Sequence, residues 1–165
     1  MIFITVGTHE QPFNRLLEYV DNLKYYGKIK EEVIMQTGFS TYIPKNCKWK
    51  KFITYNEMKE NVSNARIVIT HGGPASFIMP LQIGKIPIVV PRKEEFNEHV
   101  NNHQVEFVEI VSKRMKCIIP IINIENLEKT INNYESIIAS MNYDMKSNNK
   151  NFNIKLEKII SSMFL

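Results

Sequence analysis

ITHGGPASFIMPLQIGKIPIVVPR, residues 69–92, decides how this chain is read. Ile67 to Thr70 is an unbroken β-branched, apolar run, the signature of a strand buried on both faces of a parallel sheet. His71-Gly72-Gly73 halts it, Pro74 suits the first turn of a helix, and Gly84 is a stop for that helix. Ile86 to Val90 then supplies another strand, closed by Pro91. Strand, glycine turn, helix and strand make a βαβ unit, and parallel sheets bind ligands beyond the carboxyl ends of their strands.

The turn at residues 71–76 sits at such an end and also at a helix N-terminus, where unpaired N–H groups and a partial positive charge attract phosphate. Gly72 and Gly73 let backbone approach a ligand, Ser76 offers a hydroxyl donor, and His71 faces the same crevice. The same residues also suit a plain tight turn with packing glycines and a capping serine.

The first strand, Ile2 to Val6, leads through Gly7, Thr8 and His9 into an amphipathic helix from about Pro12. That helix spaces Phe13, Leu16, Leu17, Val20 and Leu23 along one face. It repeats the strand–glycine–hydroxyl–helix arrangement, and two such loops facing one crevice favour an anion site over two ordinary turns.

The alternation continues with strands at Glu32–Gln36 and Lys51–Ile53, a short helix from Glu57 to about Asn64, a helix over Glu98–Val111 and a strand at Cys117–Ile119. A long helix follows, marked by Leu127, Ile131, Tyr134, Ile138 and Met141. The expected fold is therefore α/β, a Rossmann-like parallel sheet with helices on both faces, formed by residues 1–141. Residues 142–165 read as an asparagine-rich linker (142–153) and an amphipathic C-terminal helix.

A third cluster lies in PRKEEFNEHVNNHQVEF, residues 91–107. On one helix His99 and His103 stand four apart, as a metal pair does, but there is no HExxH and no evident third ligand. Glu98, His99, His103 and Gln104 better suit paired hydrogen bonds to sugar hydroxyls, with a solvated helix face as the alternative.

Composition narrows the partners. A net charge of +4 and a pI near 9.0 favour anionic ligands or surfaces, while the lysines form no basic block of the kind nucleic acid selects. Cys47 and Cys117 are isolated, which excludes a zinc knuckle and a disulfide framework. No apolar run is long enough to span a bilayer and no basic leader precedes the first strand, so a cytoplasmic chain touching membrane only peripherally is expected.

With only Asp21 and Asp144, no DxD can hold a metal–nucleotide pair. P-loop, GxGxxG and GxSxG patterns are absent too. A phosphate site must then work without metal, through helix dipoles, backbone N–H groups and basic side chains. Arg92 is a candidate for that site, or equally for a structural ion pair.

These residues resemble a known family. THGG-P-A-S, GK-PIVVPR and EHxxxHQxEF, with ITVGTHEQPFNRL and FITYNEMKENVSNARIVITHGG, are similar to the C-terminal, donor-binding half of family 28 glycosyltransferases, in register over residues 1–111. The chain resembles the small catalytic subunit of the eukaryotic dolichol-linked GlcNAc transferase, and its THEQPFNRL and THGGPASF stretches look closer still to the small subunits of bacterial two-component exopolysaccharide or capsule transferases.

The resemblance implies a single GT-B half-domain that transfers a sugar, with galactose favoured, from a UDP-sugar to a lipid-linked saccharide. The transfer would invert configuration, need no cofactor or metal, and use a membrane-anchored subunit carrying the acceptor half. It places Gly7, Thr8, Gly72, Gly73 and Ser76 at the donor diphosphate, Phe52 and Ile53 at the uracil, and Glu98–His99 or His103–Gln104 at the donor sugar. His71 and Arg92 are implied to assist the leaving group, and His9 is the in-chain candidate for general base.

One departure stands out: where many relatives carry a ribose-gripping glutamate, this chain has Met79. Together with the missing acceptor half, it motivates the alternative of a non-catalytic nucleotide-binding or assembly subunit. A UDP-sugar 2-epimerase would need a second domain within the chain.

Overall fold

The computed structural model describes residues 1–141 and 149–163. Six strands form one sheet: β1 (Ile2–Thr5), β2 (Val33–Gln36), β3 (Lys48–Lys50), β4 (Ile67–His71), β5 (Ile88–Val90) and β6 (Ile119–Pro120). Their order is β3-β2-β1-β4-β5-β6 and every pairing is parallel. This is the doubly wound Rossmann arrangement, whose strand order reverses between β1 and β4.

Side chains alternate across the sheet. Ile2, Ile4, Ile67, Ile69 and Ile88 pack on one face with Leu16, Leu17 and Val20 of α1 (Asn14–Tyr25), and with α5 (Asn126–Asn132) and α6 (Tyr134–Ser140). On the other face, Val62 of α2 (Tyr55–Asn64) meets Phe3 and Val68. There too, Phe77 of α3 (Pro74–Gln82) and Val108 of α4 (His103–Met115) meet Val89. Helices therefore cover both faces, as the sequence pattern requires.

Several boundaries differ from expectation, among them the last strand, which is Ile119–Pro120 and not Cys117–Ile119. The third strand is Lys48–Lys50, not residues 51–53; it is an exposed, charged edge strand with no apolar signature, placed only by pairing with Ile34, Met35 and Gln36. The helix expected from Glu98 begins at His103. Asn97 takes a left-handed conformation (φ 55°), Glu98 turns inward to Arg15, and Asn101 Oδ1 accepts the His103 N–H at 3.2 Å.

The long helix expected over residues 127–141 breaks at Asn133, whose amide side chain turns back to the Lys129 carbonyl while Tyr134 OH donates to the Ile86 carbonyl at 2.7 Å. Finally, α7 (Asn149–Met163) starts inside the stretch read as a linker, and residues 142–148 of that stretch, Asp144 among them, lie outside the described residues. Ile154, Leu156, Ile159, Ile160 and Met163 of α7 are exposed rather than packed on the sheet. Among the described residues no helix is long and apolar enough to cross a membrane.

Candidate functional site at the strand-order reversal

The carboxyl ends of β1 and β4, neighbours at the reversal, carry the two glycine turns picked out from sequence, and a cavity of about 600 Å³ opens in front of them. Gly7, Thr8 and His9 line it from the β1 turn; His71, Gly73 and Ser76 line it from the β4 turn. Phe52 and Ile53 close one end, and Met58 and Met79 form the wall between.

Both glycines are demanded by one imidazole. Gly7 has φ +75°, and a Cβ there would stand 2.5 Å from His71 Nε2; a Cβ on Gly73 would collide with the same ring at Cε1. His71 Nδ1 accepts the Gly73 N–H at 3.0 Å, so the ring proton resides on Nε2 and is donated to Ser76 Oγ, 2.8 Å away. The Ser76 hydroxyl hydrogen is thereby turned outward, available to a ligand. Burial, then the charge of Arg92, pushes the His71 pKa down to about 4, so the ring is neutral near pH 7.

His9 shows the same polarity. Its Nδ1 accepts the Gln11 N–H at 3.1 Å, leaving a protonated Nε2 that donates rather than accepts. Pro74 has no N–H and the Ser76 N–H is taken by the Gly73 carbonyl at 3.1 Å, so the first turn of α3 adds the Ala75 N–H to the Ser76 hydroxyl, and the cavity presents donors from both turns. Such a lining suits an anion.

The floor was not foreseen. Thr5 Oγ1 donates to Gln36 Oε1 at 2.6 Å, and Gln36 Nε2 donates to the Gly7 carbonyl at 2.9 Å and the Lys51 carbonyl at 3.3 Å. One buried amide thus fixes the β1 turn relative to the segment carrying Phe52. Its only sequence signal is a polar residue ending an apolar strand.

Phe52 meets Phe39 edge-to-face at 5.2 Å, with Lys51 Nζ 5.4 and 5.7 Å from the two ring centres. The loop bearing Phe39 is pinned to α1 by Asp21, which accepts from Tyr42 OH, Lys45 N and Asn46 N at 2.8–2.9 Å. Burial alone would raise the Asp21 pKa, but these donors outweigh it and the carboxyl stays below its ordinary value.

Several expected ligand residues are engaged elsewhere. Arg92 is 1% exposed, and its guanidinium donates to the carbonyls of Val6, Gln11, Pro12 and Glu98; it buttresses the β1 turn instead of reaching the cavity. Glu98 holds Arg15 through both carboxylate oxygens (2.9 and 2.8 Å) and accepts the Lys93 N–H. It lines a separate cleft of about 470 Å³ beside α1 and Phe96, not the switch-point cavity.

Gln104 Oε1 accepts from both Gly72 N (3.1 Å) and Arg92 N (3.2 Å), latching the β4 and β5 turns together. Gly72 is buried behind the cavity at this latch. His99 and His103 leave the lining to His9, but the three rings are contiguous: His9 to His99 is 4.9 Å and His99 to His103 is 4.5 Å between centroids. Burial, then His103, His9 and Arg92, holds His99 below its ordinary pKa. Among the described residues no group of three or more His, Cys, Asp or Glu side chains is arranged to hold a metal ion.

The chain is 31% identical over 121 residues, 68% of its length, to the human protein named UDP-N-acetylglucosamine transferase subunit ALG13. The Mus musculus protein of the same name is 28% identical over 123 residues. The matched part is about 10% of the length of either relative. Among solved structures, the glycosyltransferase SnogD from Streptomyces nogalater aligns with 93% of this chain and 43% of its own, at 12% identity and a TM-score of 0.49. The sequence model of the glycosyltransferase family 28 C-terminal domain matches residues 1–160, and the chain belongs to that family.

Proposed function

We propose that this chain is the donor-binding, catalytic subunit of an inverting glycosyltransferase. It moves a sugar from a UDP-sugar to a lipid-linked saccharide, in exopolysaccharide or capsule assembly, at the inner membrane face. The observation that carries this reading is the cavity at the β1/β4 reversal, whose donors from two strand-to-helix turns converge where a diphosphate fits. Family membership and the relatives' names, which specify a UDP-sugar transferase subunit, support it.

In the reaction an acceptor hydroxyl attacks the anomeric carbon, the bond from that carbon to the diphosphate oxygen breaks, and the electron pair leaves with UDP. Negative charge grows on the diphosphate, so the α3 N-terminus, Thr8, the Ser76 hydroxyl and His9 Nε2–H stabilise the transition state more than the ground state. Removal of one such donor costs about 3 kcal/mol in related oxyanion sites. No metal is required in this scheme. His71, neutral and bonded to Ser76 and Gly73, acts by positioning those groups.

The acceptor proton needs a base. His9 has its Nδ1 occupied and its Nε2 protonated, so the base is assigned to a partner subunit supplying the acceptor half and the membrane attachment. The exposed apolar residues of α7 support docking on such a partner.

The test is UDP release from a panel of UDP-galactose, UDP-glucose, UDP-GlcNAc and UDP-glucuronate by the purified chain, with and without its membrane-attached subunit and a lipid-linked acceptor. Release with one donor only in the reconstituted pair supports the proposal and names the sugar. No release with any donor refutes it. Donor binding without turnover in the pair would instead favour a non-catalytic nucleotide-binding subunit, a reading motivated by the apolar Met79 wall.

A further inference from the structure

The wall between the two ends of the switch-point cavity is apolar. Ser76 and Met79 stand three apart on α3 and therefore share one helix face, with Met79 a turn deeper than the first-turn donors. Met79 and, from α2, Met58 line the same cavity as Gly73, Ser76, Phe52 and Ile53, so in a pose with the diphosphate at Ser76 and the base at Phe52 they are the side chains left to meet the pentose. Both methionines and Ile53 pack on the cluster of Phe3, Val62, Ala65 and Val68, so this wall is continuous with the core.

Among the described lining residues the hydroxyls are those of Thr5, committed to Gln36, and of Thr8 and Ser76, assigned above to the diphosphate; Met58, Met79 and Ile53 bring no oxygen acceptor of their own. Both amide atoms of Gln36 are engaged by Thr5, Gly7 and Lys51. Glu57, the acid in the first turn of α2, closes that helix's capping box, pairs with Lys50 and borders a different cleft beneath β3. A hydroxyl lying against two thioethers gains no strong hydrogen bond, whereas a hydrogen in its place leaves no polar group unpaired. Sites built to bond a hydroxyl reject the analogue lacking it by about 10⁴-fold or more; apolar walls carry no such penalty.

Building on the sugar-nucleotide reading of this cavity, we infer that it does not select for the ribose 2′-hydroxyl. Its donor class then includes 2′-deoxyribonucleoside diphosphate sugars as well as ribonucleoside ones, and Met79 is the residue that sets this tolerance.

The experiment is a titration of the full-length chain with UDP and with dUDP, using wild type, Met79→Glu and Met79→Gln, each checked for native circular dichroism. The expected wild-type result is binding constants within about threefold of each other. Placing an acceptor at position 79 should create a preference for UDP of about tenfold, the scale of one added hydrogen bond to a charged group.

A wild-type preference for UDP of tenfold or more overturns the inference while leaving the sugar-nucleotide site intact. Folded variants that bind both nucleotides but gain no preference also overturn it, because the pentose then lies away from Met79. Failure of wild type to bind either nucleotide removes the site reading itself, and this inference with it.

Discussion

Replacing Arg92 with Met should destabilise the protein strongly, and the structure says by how much. The guanidinium is buried, has no carboxylate directly bonded to it among the described residues, and is solvated by carbonyls from three separate segments: Val6, then Gln11 and Pro12, then Glu98. Burial lowers its pKa to about 10, with Glu98 opposing the shift, so it remains charged near pH 7.

Methionine keeps much of the apolar stem but loses the guanidinium, whose Cζ lies 4.9 Å from the Phe13 ring centre, and leaves at least three carbonyls without donors. Each unsatisfied buried group costs about 1–3 kcal/mol; with partial relaxation of two surface loops the sum is about 3–4 kcal/mol. With a urea m-value of about 2 kcal/mol/M for a domain of this size, the unfolding midpoint should fall by about 1.5–2 M.

Arg92→Lys should recover less than half of that, because a single ammonium cannot span carbonyls arranged around two guanidinium nitrogens. The assay is urea unfolding followed by far-UV circular dichroism, with UDP titration alongside. A midpoint shift below about 0.5 M in the Met variant, combined with lost UDP binding, would refute the reasoning and return Arg92 to the diphosphate.

Three further outcomes are expected. His71 is neutral in the folded state with its pKa depressed to about 4, so the unfolded chain takes up the proton first and stability should fall as pH drops from about 6.5 to about 4. His71→Gln should flatten that part of the curve in urea melts run at several pH values; an unchanged curve would show that the ring titrates normally. Gly7→Ala, forced into φ +75° against His71, should lower stability by about 1–3 kcal/mol and weaken UDP binding in calorimetry, whereas wild-type binding would contradict the clasp around His71. Asp21→Ala strands four donors of the Phe39 loop, so stability should fall by about 2–4 kcal/mol in urea melts and limited proteolysis should cut first within residues 37–47. Unaltered cleavage there would separate that loop from Asp21.

The local chemistry of the chain determined much of this protein. Unalternating β-branched runs ending in Gly7 and in His71-Gly72-Gly73 specify parallel strands that stop at phosphate-type turns. Those turns, with Phe52 and Ile53, do converge on one cavity. Helices α1 and α3 follow from periodicity and from Pro74, because burying an apolar stripe is a short-range pattern that sequence displays directly.

What tertiary structure decided is which polar groups face the cavity and which sustain it. Arg92, Glu98 and Gln104 have the composition of ligand residues, but each is drawn to a partner distant in sequence: carbonyls from Val6 to Pro12, Arg15, and the Gly72 N–H. Likewise Lys48–Lys50 is a strand only because β2 offers it an edge, and Gln36 is a floor only because Thr5 and Gly7 come beside it. A polar side chain goes wherever its hydrogen bonds can be completed, and those partners are assembled only by the fold.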